Sequence, residues 1–261
     1  MMNIKRNSFP HKPWYILFVL APLLFSACNK KEKITGVDPA FSRYIDGYTS
    51  GVISKAAAIR VRLAAETPST HALNEVLKDP LFSFTPSVKG KAYWVDARTI
   101  EFKPDEYLSP GQLYTVHFKL SKATDVPDAF QIFTFNVQAV TPGFRVKENG
   151  LKTVGNSKEM MMLNGVIETA DIASSATVEK LLAAGYQGKS PVIKWEHNES
   201  TRTHRFTIED IKRGAGASTL KLQWDGAPLG LKEKNNKEVE IPAVGDFKVL
   251  NIRAVQETEN Y

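Results

Sequence analysis

The sequence has 261 residues, with 34 Lys and Arg against 28 Asp and Glu, and a single Cys. The formal charge of +6 looks basic, but Lys5, Arg6 and Lys12 precede Cys28; without them 31 basic residues face 28 acidic ones. That excess is too small and too evenly spread to imply a nucleic-acid partner, and one Cys excludes an internal disulfide framework.

The chain opens on a positive segment with no acidic residue before Glu32, followed by the apolar run Trp14–Phe25, broken only by Pro22. Such a run is too short to span a bilayer as a helix and suits the apolar region of a signal peptide. Phe25-Ser26-Ala27-Cys28 follows directly and resembles a bacterial lipobox, with Phe25 in place of the usual Leu. The resemblance implies cleavage between Ala27 and Cys28, and acylation (palmitate among the chains) on Cys28. An ordinary signal peptide with a chance Cys is the alternative. Several acyl chains on one residue anchor stably, since each buried CH₂ contributes about 0.8 kcal/mol. Asn29, rather than Asp, follows the Cys. By resemblance to lipoprotein sorting, this implies the outer membrane. Lys30-Lys31-Glu32-Lys33 is not an acidic surface-export cluster, so the periplasmic face is expected. Residues 28–40 read as a polar tether.

The first module is expected over 41–140. Ile53 opens a weak strand, and Ile59, Val61 and Leu63 alternate with Arg60 and Arg62. His71–Leu77 is expected to form a helical turn, with Leu73, Val76 and Leu77 on one face. Phe82 and Phe84, Ala92–Val95, Ile100 and Phe102, and Tyr114–Leu120 then read as four short strands, with turns at Asp96-Ala97-Arg98 and Ser109-Pro110-Gly111. Phe130–Val137 closes the module. About seven alternating strands in roughly 100 residues is the pattern of an immunoglobulin-like sandwich, with Trp94 as the natural core residue.

Thr141-Pro142-Gly143 is the first joint, and a second module is expected over 144–243. Met160–Leu163 and Val166-Ile167 read as strands broken by Asn164-Gly165, and Asp46-Gly47 and Asp225-Gly226 as turn formers. The Met160–Met162 run is expected to lie in a buried strand. Ala176–Ala184 is expected to be the one short helix, capped by Ser175 and ended by Gly185. Val192–Trp195 and Phe206–Ile208 form a hairpin about Asn198-Glu199-Ser200, and Leu220–Trp224 is a further strand. Lys232–Lys237 reads as a solvated turn. Trp94 and Trp195 lie 101 residues apart, each on the first strand of a hairpin, which favours tandem sandwiches. Residues 246–261 read as the truncated start of a third module.

Candidate sites are few. His197 and His204 are expected to face each other across the hairpin as exposed residues, since two His are too few for zinc. His71 and His117 have no partner motif, with His117 on the wet face of its strand. No nucleophile, acid–base pair, phosphate loop, metal set or cofactor motif converges, so no enzyme is expected.

Tyr44–Ser54, Phe82–Gly90, Ala92-Tyr93-Trp94 and Thr99–Pro104 together resemble the N-terminal part of bacterial alpha-2-macroglobulin lipoproteins of the Bacteroidetes type. The resemblance covers most of Phe41–Ala243 and implies a string of macroglobulin-like β-sandwiches in a membrane-tethered endopeptidase inhibitor. It implies no thioester here, because the only Cys is Cys28, and no bait region is recognised. Proteases would be partners only of the full-length protein, through further modules. The competing expectation is a stand-alone sandwich lipoprotein that binds glycan or protein at the cell envelope.

Overall fold

A computed structural model describes residues 36–67 and 72–246. Ala27, Cys28, most of the tether, His71 and the third-module segment from 247 onward lie outside them. All described residues belong to one compact unit.

The fold is all-β, with two immunoglobulin-like sandwiches in tandem. The first holds β1 (Ile45–Tyr48), β2 (Gly51–Ile53), β3 (Ile59–Leu63), β4 (Phe82–Thr85), β5 (Gly90–Trp94), β6 (Thr99–Pro104), β7 (Leu113–Lys119) and β8 (Ile132–Ala139). One sheet runs β1-β3-β6-β5 and the other β2-β8-β7-β4. The chain changes sheets between β1 and β2: β1 pairs antiparallel with β3, whereas β2 pairs parallel with β8. Gly51, at φ +74°, makes that crossing without the strain a side chain would add. Alternation then does the packing. In β3, Ile59, Val61 and Leu63 are buried while Arg60 and Arg62 are exposed, and they meet Trp94, Ile100, Phe118, Phe133 and Phe135 in one core. Trp94 is 2% exposed.

The second sandwich holds β9 (Phe144–Thr153), β10 (Met160–Thr169), α1 (Ser175–Glu179), β11 (Leu182–Tyr186), β12 (Ile193–Asn198), β13 (Thr203–Lys212), β14 (Ser218–Asp225) and β15 (Lys234–Ile241). Its sheets run β9-β10-β13-β12 and β11-β14-β15. This is the four-plus-three arrangement of a constant-type immunoglobulin domain. The first sandwich repeats it with one strand more: β1, β3, β6 and β5 take the places of β9, β10, β13 and β12, and β2 is added to the edge of the other sheet beside β8. A separate core forms from Met161, Leu163, Ile167, Val178, Phe206, Ile208, Leu220 and Leu222.

Several local expectations are corrected. Residues 72–77 are not helical: Leu73 and Val76 make isolated β-bridges to Trp94 and Tyr93. The helix is only Ser175–Glu179, and Ser174 rather than Ser175 caps it, its Oγ accepting from Thr177 N. Leu182–Tyr186, with Gly185 inside it, is strand β11 because β14 offers a full ladder from Trp224 to Leu220. Asn164-Gly165 does not break a strand but lies inside β10, opposite Phe206. Asp46-Gly47 sits in β1 at a register shift. Lys234–Lys237 belongs to edge strand β15, where exposed lysines keep the edge soluble.

Candidate functional site

Two polar constellations stand out, and the first of them lies where the sandwiches meet. From β8 the chain passes through Val140–Gly143 into β9. Val140 N donates to Ile53 O (2.8 Å), Gly111 N to Val140 O (3.1 Å) and Ala170 N to Gly143 O (2.8 Å). Asp171, just past β10, closes the junction. Its carboxylate accepts from Ser54 Oγ (2.6 Å), Lys55 N (2.7 Å) and Ile172 N (2.8 Å). Burial pushes its pKa up, but the bonds from Ser54, Lys55 and Ile172 outweigh that and hold it below the usual carboxylate value. A cavity of about 290 Å³ remains beside the clasp, walled by Tyr107, Pro110, Pro142, Ile172 and Leu229. Lys55 Nζ lies 5.3 Å from the Tyr107 ring centre, within cation–π range.

The second constellation is the histidine pair. His197 and His204 do face each other in the β12–β13 register, with Nδ1 to Nδ1 at 2.9 Å. They are not exposed as expected: His204 is fully buried, because α1 closes over the hairpin from a part of the chain the turn does not announce. His197 Nε2 lies 3.2 Å from Glu179 Oε1 on α1. An N–H there donates to the carboxylate and leaves His197 Nδ1 as acceptor, so His204 is the Nδ1–H donor. His204 Nε2 is then a buried lone pair with no partner among the described residues. Glu199 adds a second tie, accepting from Ser175 N (2.7 Å) and Ser175 Oγ (2.8 Å). Arg202 Nη1 donates to Ala170 O (2.8 Å), beside the clasp residue.

Burial, then the neighbouring His197, hold the His204 pKa below its ordinary value against the opposing pull of Glu199. An unfolded His binds its proton near pH 6.5. Folded His204 takes one only at lower pH, so this contribution to stability is complete above about pH 6.5 and is lost as pH falls through the folded value. Thermal melts should therefore drop between pH 7.5 and pH 5, and the slope should flatten in His204→Leu. Equal slopes in both would remove His204 from the account.

The remaining expected residues are placed simply. His117 lies on the less buried face of β7, as expected, and is part-buried there, its Nδ1 3.0 Å from Thr134 Oγ1. Met161 is fully buried, in line with a buried strand, and Met160 and Met162 are half-buried. Asn198, on the turn, accepts from Ser200 Oγ and Thr201 N. Among the described residues no group of three or more His, Cys, Asp or Glu is placed to hold a metal ion, and no helix is long and apolar enough to cross a membrane. No motif or periodicity marks Asp171 or Arg213 in the sequence. The Arg213 guanidinium grips the exit of β15 through Pro242 O (2.9 Å), Ala243 O and Asp246 O (3.1 Å), and reaches Lys158 O (2.9 Å).

A shallow polar groove of about 970 Å³ runs over the β9-β10-β13-β12 sheet, with Lys152, Asn164, Lys194, Glu196, Arg205 and Thr207 along it. No protein-family model matches the chain, and no curated protein sequence is similar to it. Solved structures with some likeness include an L,D-transpeptidase from Mycobacterium tuberculosis H37Rv, at 11% identity and TM-score 0.28 over 67% of this chain. The match spans 64% of that enzyme, less than two thirds of its length. An L,D-transpeptidase from Mycobacterium smegmatis has 10% identity and TM-score 0.25, over 80% of this chain and 73% of that one. The titin domains z1z2, solved in complex with telethonin, have 10% identity and TM-score 0.27, over 76% and 95%. Scores this low establish neither a shared fold nor a shared activity.

Proposed function

We propose that the chain is a non-catalytic, membrane-tethered stalk: the N-terminal part of a macroglobulin-type endopeptidase-inhibitor lipoprotein, held by acyl chains on Cys28 at the periplasmic face of the outer membrane. The observation that carries the stalk reading is the Asp171 clasp. Two hydrogen bonds on one carboxylate, from Ser54 Oγ and Lys55 N, fasten the second sandwich to the β2–β3 loop of the first, which suits a part that holds its neighbours at a set position. The lipobox-like Phe25-Ser26-Ala27-Cys28 supports the tether.

Labelled palmitate should enter the wild-type protein and be lost in Cys28→Ala, and the labelled protein should sediment with outer membrane. Label that survives the substitution would remove the anchor. The inhibitor reading is tested on the protein extracted intact from envelopes and challenged with an endopeptidase. Co-elution of protease with the anchored protein is expected; protease running free at every ratio would overturn it. The polar groove favours a second reading, a stand-alone lipoprotein that binds glycan or protein. Glycan-array signal lost in Arg205→Ala would move the assignment there.

A further inference from the structure

The two sandwiches treat the same sheet edge differently. In the first, β5 is the outer strand, and the segment before β4 covers it. Asn74 N donates to Trp94 O and Leu77 N to Ala92 O, both at 2.8 Å, while Leu73 and Val76 bridge to Trp94 and Tyr93. In the second sandwich β12 holds the equivalent place, paired only with β13. Among the described residues nothing pairs with its outer side. Val192, at its start, is 75% exposed. Ile193 and Trp195 point toward the core yet are only half-buried. An edge of this kind is a template for another strand.

From the open edge and its charge pattern we infer that β12 pairs antiparallel with β12 of a second copy of this chain. A two-fold axis through Trp195 sets Trp195 against itself and puts Lys194 opposite Glu196 of the partner subunit, twice. Opposite charges facing each other across an antiparallel pair are favourable and like charges are not. The Lys194–Glu196 spacing is therefore self-complementary, where an edge built to stay single would carry one sign. The far edge of the same sheet shows that contrast: β9 exposes Arg145, Lys147 and Lys152, and pairing with its own copy about Val146 would set Arg145 against Lys147. Lys194 also bonds Glu209 of its own sheet, but its side chain is 63% exposed, and an ammonium has three donors to share. The two half-buried Trp195 rings would cover each other, and the four-stranded sheet would continue across the axis into its copy.

The test uses the full chain in mild detergent. Sedimentation should show a reversible dimer for the wild type. Glu196→Lys and Lys194→Glu should each weaken self-association, by about tenfold or more. An equimolar mixture of the two variants should recover a heterodimer, because each supplies the charges the other lacks. In a Cys28→Ala background, Trp195→Cys should form a disulfide-linked dimer on mild oxidation. Far-UV spectra and melts confirm that each variant is folded. A monomer at every concentration, a dimer indifferent to both charge reversals, or no cross-link through position 195 would each overturn the inference.

Discussion

Gly165→Ala is expected to destabilise the second sandwich by about 1–3 kcal/mol, the cost of overfilling a packed core. In most strands the change would be welcome, since Gly in a strand interior costs roughly 0.5–1 kcal/mol relative to Ala. Here a Cβ would enter the Phe206 ring, with Cε1 at 2.6 Å, and would sit 2.8 Å from Lys147 O. Neither can retreat. Phe206 is 1% exposed and packs on Trp195 with ring centres 5.7 Å apart, and Lys147 O belongs to β9, which is laddered to β10. The melting temperature should fall by roughly 2–4 °C per kcal/mol for a chain of this size. Gly185→Ala is the control: Gly185 also lies in a strand, but nothing stands within 4 Å of its Cβ position, so that variant should be neutral or slightly more stable. Phe206→Leu should recover part of the loss in Gly165→Ala, because two residues in contact couple. A Gly165→Ala protein that melts at or above the wild type would show that ring and carbonyl do give way. Gly90 makes the same kind of contact in the first sandwich, its Cβ position lying 2.8 Å from Phe102 Cε1.

What the sequence showed well was most of the strands with one dry face and one wet face. β3, β7 and β8 bury alternate residues throughout, and Trp94 is as buried as its place in the pattern implies. Two of the unforeseen strands lack that contrast. In β9 only Leu151 is buried, and in β15 only Ile241. Both form because a neighbour offers a ladder: β15 pairs with β14 from Ser218–Ile241 to Asp225–Lys234. The overlong helix has a similar cause. Val178, Leu181 and Leu182 do share a helical face, but Leu182 starts β11, and β14 decides the matter from 42 residues further on, where Leu182 meets Trp224. Asn164-Gly165 looked like a turn because Gly usually marks a break. Here it marks a close approach of an aromatic ring.

The polar sites divide along the same line. That His197 faces His204 was legible, because a short turn fixes the register of a hairpin. That His204 is buried was not, because the cover comes from α1 and its partner carboxylate from Glu179, 18 residues before His197. Asp171 gave no signal at all. It is a short polar residue in a loop, and the Ser54 hydroxyl it accepts from is 117 residues away. A motif search sees residues close in sequence or of one chemical kind, and this clasp is neither.

Asp171→Ala should loosen the junction without unfolding either core. The substitution removes the acceptor for Ser54 Oγ, Lys55 N and Ile172 N. Leaving such donors unmet costs about 1–3 kcal/mol when they are buried, and these are only part-buried, so the lower end is expected. The sharper consequence is in cooperativity. Each sandwich has its own core, and weakening the tie between them should split one calorimetric transition into two. Amide exchange at Lys55 and Ile172 should rise while that at Val61 and Ile208 stays slow. Acid should produce the same change in the wild type. An unfolded Asp titrates near pH 3.9, whereas hydrogen bonding holds folded Asp171 lower. The clasp's contribution is therefore complete above about pH 4 and is lost as pH falls through the folded value. Asp171→Asn should already behave at pH 7 much as the wild type does in acid, because an amide offers one acceptor oxygen where the carboxylate offers two. A single sharp transition in Asp171→Ala, with exchange at Lys55 unchanged, would show that the linker's backbone bonds hold the sandwiches together without Asp171.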